Sequence, residues 1–327
     1  AAIGKGANSV AGNTVLGESA LDASVSGGNN TAVGKDALGA NTTGTSNTAV
    51  GHSALGSTTT GAFNVGIGLQ ALTSNTTASN NTAVGSYAGA ATTTGSQNVI
   101  VGTYAFDANT TGSNSVAVGY NALGANTTGT DNVAIGHGTL DANTTGNYNV
   151  AVGRSSMTVS TTGSENTGCG YGAMLFLTTG SNNSAFGLNA LQGNTTANNN
   201  TAVGHSALKA NTVGSDNTAV GNHALDANTS GLENVAIGRH ALGSNTTASS
   251  GVAVGHQALQ SNTTGIENVA VGNHALLSNT TANRNTAIGY DTLSANTTGA
   301  QNTSLGTYGL KGCQTGNDNA GIGYIAL

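Results

Sequence analysis

One period governs this chain. Counted from the glycine of Thr31-Ala32-Val33-Gly34, a glycine returns at Gly51, Gly68 and Gly85, and onward to Gly306 and Gly323, every 17 residues without an insertion. We number the columns of the repeat 1 to 17 from Thr31 to Asn47, where the consensus T-A-V-G-x-x-A-L-x-[A/S]-N-T-T-G-x-x-N is well kept. Only the start departs. Gly4 to Gly17 is four residues short, a short irregular first coil ahead of regular coils that fill a single repeat domain, 1–327. A helical hairpin repeat needs roughly 33–47 residues, and a unit this rich in Gly, Thr and Asn holds helix poorly. One coil of β structure per repeat is what remains. The expected fold is all-β, a parallel β-solenoid of about eighteen coils.

Each column has a physical reading. Column 3 is apolar in every coil (Val33, Val50, Ile67, Val84), and column 1 is mostly Thr or Val. Such β-branched alternation marks a short strand. Val33 and its equivalents are expected to form one core ladder, and column 8, with Leu38, a second. Gly34 allows a tight corner between them, and Asn41–Gly44 is turn chemistry. Asn30, Asn47 and Asn64 open a column of asparagines that can bond along the axis from coil to coil. At about 4.8 Å per coil, nineteen coils would make a rod roughly 90 Å long. Column 2 (Ala32, Ala49, Gly66, Ala83) is small and uncharged, which predicts that this strand face is buried against another chain.

Composition agrees. The chain of 327 residues has no Pro, and a Pro would break a ladder whose every strand has neighbours on both sides. Charged residues make up 6% and Lys plus Arg number only seven, which argues against nucleic acid as a partner. No apolar run of membrane-spanning length occurs, so no membrane insertion is expected. Few tryptic sites and a paired backbone predict resistance to proteolysis. The first residues form a strand start, Ala1-Ala2-Ile3-Gly4, and the chain closes on a core leucine, Leu327. Without visible caps, each end is expected to template another strand layer, in longer chain or in an end-to-end filament.

The unit N-T-A-V-G-x-x-A-L, clear in Asn47–Leu55, Asn200–Leu208 and Asn285–Leu293, resembles the head repeat of trimeric autotransporter adhesins. The N-T-T-G extension is similar to repeats of phage tail-fibre-like proteins. The adhesin resemblance implies a parallel homotrimer of left-handed β-rolls on a cell surface. This chain departs from it in its longer coil and in lacking a recognisable coiled-coil stalk, anchor or chaperone domain.

Chemistry that would mark an enzyme is not apparent, and none is expected, nor any cofactor. The carboxylates of Asp22, Asp107, Asp141 and Asp226 recur at one outer column as turn residues rather than as a facing pair. Asn and Thr turns are poor ligands for a hard cation. Cys169 falls in column 3, where it reads as a small core hydrophobe. Cys313 lies about eight and a half coils away, roughly 40 Å along the axis, too far for a bridge within one chain. Three copies of Cys313 could meet at one height of a trimer. Sequons at Asn41, Asn75, Asn109, Asn126, Asn143, Asn194, Asn262 and Asn296 read first as a turn ladder and second as glycan acceptors. The Thr42-Thr43 pair suits ice binding poorly, because adjacent residues of a strand face opposite ways. Met157 and Val159, then Met174, Leu175, Phe176 and Leu177, break the consensus and read as a repacked core, with Phe176 inward. The alternative is an exposed apolar patch.

Recognition is expected in the free columns. Columns 5 and 6 hold all seven His and seven of the eight Tyr. They form a ridge of His52, Tyr87, Tyr104, Tyr120, His137, Tyr171, Tyr290 and Tyr308. His205, His223, His240, His256 and His274 add a run of imidazoles in successive coils, a candidate transition-metal ladder or pH-sensitive patch. Such a ridge suits weak, repeated contacts with surface glycans or proteins. The expected function is a structural fibre or filament segment, extracellular, on a cell or virion surface. It self-associates as a parallel trimer or end to end and adheres through the ridge. The alternatives are a tail-fibre shaft serving as a passive spacer, or an ice-binding solenoid.

Overall fold

A computed structural model describes residues 3–4, 9–23 and 25–326. The chain is an all-β parallel β-solenoid, and it divides into two compact units, Ala1–Glu165 and Asn166–Leu327. The uncapped ends expected from the sequence fall on Ala1, Ala2 and Leu327, outside the described residues.

The first unit opens with β1 (Ile3–Gly4) and β2 (Thr14–Leu16), then β3 (Thr31–Val33) and β4 (Thr48–Val50), and repeats at the same spacing through β9 (Val133–Ile135) to β10 (Val150–Val152). The second runs from β11 (Thr167–Cys169) and β12 (Ser184–Phe186) to β20 (Ala320–Ile322). From β2 onward each strand in the first unit lies parallel to the next in the register of the sequence period, as Thr31 pairs with Thr48 and Val133 with Val150. The second unit follows the same rule, from Thr167 with Ser184 to Thr303 with Ala320. Against the expectation of parallel coils throughout, β1 pairs antiparallel with β2, Ile3 facing Leu16 and Gly4 facing Val15. A parallel return needs a full coil. The shortened first repeat has too few residues for one, so its strand runs back.

The strand faces the opposite way from the sequence expectation. In β3 and β4 the middle alanine is buried, while Thr31, Val33, Thr48 and Val50 are only half-covered. Elsewhere column 3 is open to solvent, as at Ile67, Val84 and Ile135. Val33 is therefore not a core ladder. Leu38 is, together with Ala32 and Ala37, all at 0% exposure. The reason is room. A Cβ built on Gly66 in column 2 would lie 3.0 Å from Cγ of Leu55, so the leucine already fills the space beneath the strand and only a small residue fits opposite. The cross-section is too thin to hold Val and Leu facing each other. One exception shows the rule. Gly89 replaces the leucine of column 8, and Ile100 replaces the alanine of column 2 in the next coil. Cδ1 of Ile100 reaches within 2.7 Å of where a Gly89 Cβ would stand.

Backbone hydrogen bonds run along the axis at most columns. Thr31 N–H donates to Asn47 O (2.9 Å), Gly51 N–H to Val33 O (2.8 Å) and Leu38 N–H to Ala54 O (3.1 Å). Between strands the chain turns by left-handed residues at columns 6, 8 and 16, as at Asp36 (φ 59°), Leu38 (φ 50°) and Ser46 (φ 58°). The glycine of column 4 is required twice over. Gly34 has φ 128°, and its Cβ would lie 2.5 Å from the carbonyl oxygen of Gly51.

Two buried asparagine columns staple the coils, the column 17 ladder that the sequence suggested and a second at column 11 that it read as a turn. In column 17, Oδ1 of Asn30 accepts from the Asn47 N–H (3.0 Å) and from its Nδ2 (3.3 Å), and Asn47 Oδ1 serves Asn64 in the same way. Asn47 Nδ2 also donates to Gly61 O (2.8 Å), so the amide is satisfied in the core. Column 11 is the asparagine of N-T-T-G, and Asn143 Nδ2 donates to Asn126 Oδ1 at 2.8 Å. All eight sequon asparagines named above are buried, which closes them to glycan attachment in the folded chain. The first Thr of the turn joins the ladder too, Thr42 Oγ1 donating to Thr59 O (3.0 Å), while Thr43 is exposed.

Candidate functional site: a ring-lined corner and an apolar strand face

The corner after the strand is built by the column 4 glycine and a left-handed residue at column 6. That conformation favours Asn, Asp and His over other non-glycine residues, which explains part of the corner's composition: Asp36, Asn121, Asn189, His223, His240 and His274 all have positive φ. The column 6 N–H donates to the column 5 carbonyl of the preceding coil, as Tyr87 to Leu69 (2.8 Å) and His223 to His205 (3.0 Å). Columns 5 and 6 of successive coils are therefore neighbours, and rings alternating between the two columns still meet.

In the first unit they form one row. Tyr87 and Tyr104 stack at 5.3 Å between centroids, Tyr104 meets Tyr120 edge-on at 6.2 Å, and Tyr120 stacks on His137 at 5.3 Å. His52 is apart, 3.8 Å from an Asp36 oxygen. In the second unit His205, His223 and His240 follow one another at 5.3 Å. A further run joins His256, His274, Tyr290 and Tyr308, and reaches Tyr324, with separations of 5.4 to 6.4 Å. Tyr171 is exposed. Stacked pairs such as Tyr87–Tyr104 and His223–His240 alternate with edge-on and tilted ones such as Tyr104–Tyr120 and Tyr290–Tyr308, so the ridge offers both ring faces and ring edges, with hydroxyls and ring nitrogens among them.

Charges beside the imidazoles are few. His223 Nδ1 bonds Asp226 at 2.7 Å, and His274 lies between Gln257 (2.8 Å) and Asp291 (3.7 Å). Lys311 pairs with Asp291 and sits 4.6 Å over the Tyr308 ring; its hydrogen bond to Asp291 raises its pKa. Partial burial, then the neighbouring Arg239 and His223, push the His240 imidazole below its ordinary pKa. The ladder does not gather as a metal site would. Its rings follow one another along the axis, and among the described residues no three His, Cys, Asp or Glu side chains group around one point.

The second surface was hidden from sequence reading. Because the strand faces inward with its alanine, columns 1 and 3 form two outward rows of Val, Ile, Leu and Thr. Val99 (42%), Val101 (38%) and Ile135 (41%) are exposed in the first unit, and Phe186 (42%), Ile237 (39%) and Leu305 (47%) in the second. No charged residue occurs in either column. Column 2 was expected to meet another chain. It is the inside of the coil, and the outward face is this one. Cys169, expected in the core, lies half-exposed on it. The absence of charge from all three strand columns could have flagged that both faces avoid water.

The Met-rich interruption divides between the two readings. Met157, Met174 and Leu177 are buried, whereas Val159 and Phe176 are exposed at column 10, so Phe176 does not point inward. A cavity of about 360 Å³ in the last coil, lined by Leu310, Gly312, Cys313 and Asn319, is separate from both surfaces. No family model matches the chain, and no curated protein matches it significantly. The architecture is that of a fibre-like repeat protein of the solenoid class.

Proposed function

We propose that this chain is a structural segment of a surface fibre, self-associated through the outward strand face and adhesive through the ring-lined corner. The observation that carries it is the uncharged apolar face made by columns 1 and 3 in each unit. Nine parallel strands in the first unit and ten in the second, at about 4.8 Å each, give each unit a strip about 40 Å long, a continuous uncharged face of the kind that marks an interaction surface. A second copy suits it best. Every coil offers the same two rows, so copies laid parallel match row for row, and no charge is stranded on burial. The resemblance to adhesin heads favours three copies around one axis. With that face closed, the ring rows stay outside, where repeated weak contacts add by avidity. The reading places the fibre on a cell or virion exterior and gives it no catalytic role.

Sedimentation of the full chain tests the assembly. A trimer at micromolar concentration is expected, and a Val203→Asp/Ile237→Asp variant should sediment as a monomer with unchanged β circular dichroism. A wild-type monomer would overturn the assembly. Adhesion is tested by ridge variants with Tyr104, Tyr120 and Tyr290 changed to Ser. They should keep the trimer and lose attachment to cells or particles that the parent binds. Attachment equal to the parent's would make the chain a passive spacer.

A further inference from the structure

We propose that the imidazole run of the second unit, from His205 to His274, is a binding site for an acidic polysaccharide that engages when these rings are protonated and lets go near neutrality. The inference rests on the reading of the corner as a contact surface and assigns that surface a ligand class.

Five imidazoles occupy five successive coils in two hydrogen-bonded columns, at one coil rise per ring. The charged groups near them nearly cancel while the rings are neutral. Arg239 lies beside His240 in column 5, and Lys209 stands in column 9 of the His205 coil. Against them stand Asp226, bonded to His223, and Asp291, which also meets His274 and Lys311. Asp216, Glu233, Glu267 and Arg284 occupy column 16, at the other end of the three-residue strand. Protonation therefore changes a locally balanced strip into one carrying up to five added positive charges in successive coils along the axis. Imidazole is the side chain whose charge changes within the mildly acidic to neutral range, and the two pH values of the test bracket that range.

The shape selects the ligand. A row of cations one per coil, with rings 5.3 to 5.6 Å apart where they touch, suits an extended chain whose sugar rings are about as long as that step and whose carboxylates or sulfates project at regular steps. Duplex nucleic acid winds away from a straight row and would leave most of its phosphates uncontacted. A protonated imidazole carries two N–H donors, which suits hydrogen bonds to acidic oxygens. Imidazolium rings at 5.3 Å repel each other, and a polyanion laid along them relieves that repulsion. Binding and proton uptake are thereby linked.

The test uses the full chain and three probes of matched length: dextran sulfate, neutral dextran and single-stranded oligonucleotide, at pH 5.5 and 7.5. Dextran sulfate is expected to bind at least about tenfold tighter at pH 5.5, with proton uptake measured in buffers of different ionisation enthalpy, and neutral dextran not at all. Changing His205, His223, His240, His256 and His274 to Asn should abolish that pH dependence. Asn tolerates the left-handed corner, and unchanged melting would show that the fold is kept. Equal binding at both pH values, binding kept by the five-Asn variant, or tighter binding of the oligonucleotide would each overturn the inference. If dextran sulfate fails while the tyrosine variants still lose attachment, the corner remains the contact surface and only the ligand class is wrong.

Discussion

Gly251 interrupts the column 17 ladder. Its N–H still donates to Asn234 Oδ1 (2.9 Å), but it has no side chain to serve Asn268. At Ser115 the hydroxyl takes over, receiving the Asn132 N–H at 3.2 Å. A Cβ on Gly251 would come no nearer than 3.1 Å to its neighbours. Gly251→Asn should therefore stabilise the second unit by about 1 kcal/mol, seen as a raised Tm; a lowered Tm would show that the ladder is full as it stands. The Gly89 and Ile100 exchange predicts non-additivity. Ile100→Ala should cost about 2–4 kcal/mol through the cavity it leaves, and Gly89→Leu alone should overpack by about 1–3 kcal/mol. The double variant restores the consensus and should lie near wild type in a denaturant cycle. Partial burial raises the carboxyl pKa of Asp107 above its ordinary 3.8, outweighing hydrogen bonds from the backbone. The folded chain then holds that proton more tightly than the unfolded one. Its stabilisation is present below pH 3.8 and lost as pH rises through the folded-state value. Asp107→Asn should accordingly raise Tm at pH 7 and leave it unchanged at pH 3.

At the level of the strand, three residues decide which way a coil is turned. Ala134 lies inside, and Val133 and Ile135 lie outside. The two faces should respond in opposite ways to substitution. Ala134→Val inserts methyls where column 8 leucines already press, and should cost about 1–3 kcal/mol. Val133→Thr on the outer face should stay within about 0.5 kcal/mol in the unassociated chain. Equal costs measured by urea unfolding would contradict the orientation. The corner is an element of the same kind. The left-handed residue at column 6 and its bond to the previous coil's column 5 carbonyl bring His256 to His274, while Tyr104 in column 6 meets Tyr120 in column 5 of the next coil edge-on without that bond.

For the molecule as a whole, the proposed assembly gives Cys169 a use as a reporter. It is a half-exposed thiol in column 3 of the second unit, on the face proposed to close. In a parallel, in-register assembly, copies of Cys169 stand at the same height, near the axis, within reach of a bridge if their Cα atoms come within about 7 Å. Mild oxidation of the assembled chain should give a disulfide-linked pair that survives in Cys313→Ser and vanishes in Cys169→Ser. The reverse pattern would place Cys313, not the strand face, at the contact.

The period, the register, the turns and the asparagine staples were all legible in the amino acids. Each is a property of a column, and stacking repeats the column directly in space: Asn30, Asn47 and Asn64 are spaced by one coil and bond by one coil. The inward direction of the strand was not legible. Columns 1, 2 and 3 are all uncharged, and hydrophobicity alone places Val33 inside. Only the folded cross-section, with Leu38 and its equivalents already filling it, leaves space for Ala32 and turns the valine out. The ring rows also needed the structure, because they join two columns through a slanted hydrogen bond that no single column contains. Phe176 stands in a column that holds small residues in other coils, which reads as inward, yet column 10 is only half-covered there and both Val159 and Phe176 are exposed. Sequence fixes what repeats along the axis; the packing across the axis, where Leu, Ala and Val compete for one thin core, is decided only when the coil closes.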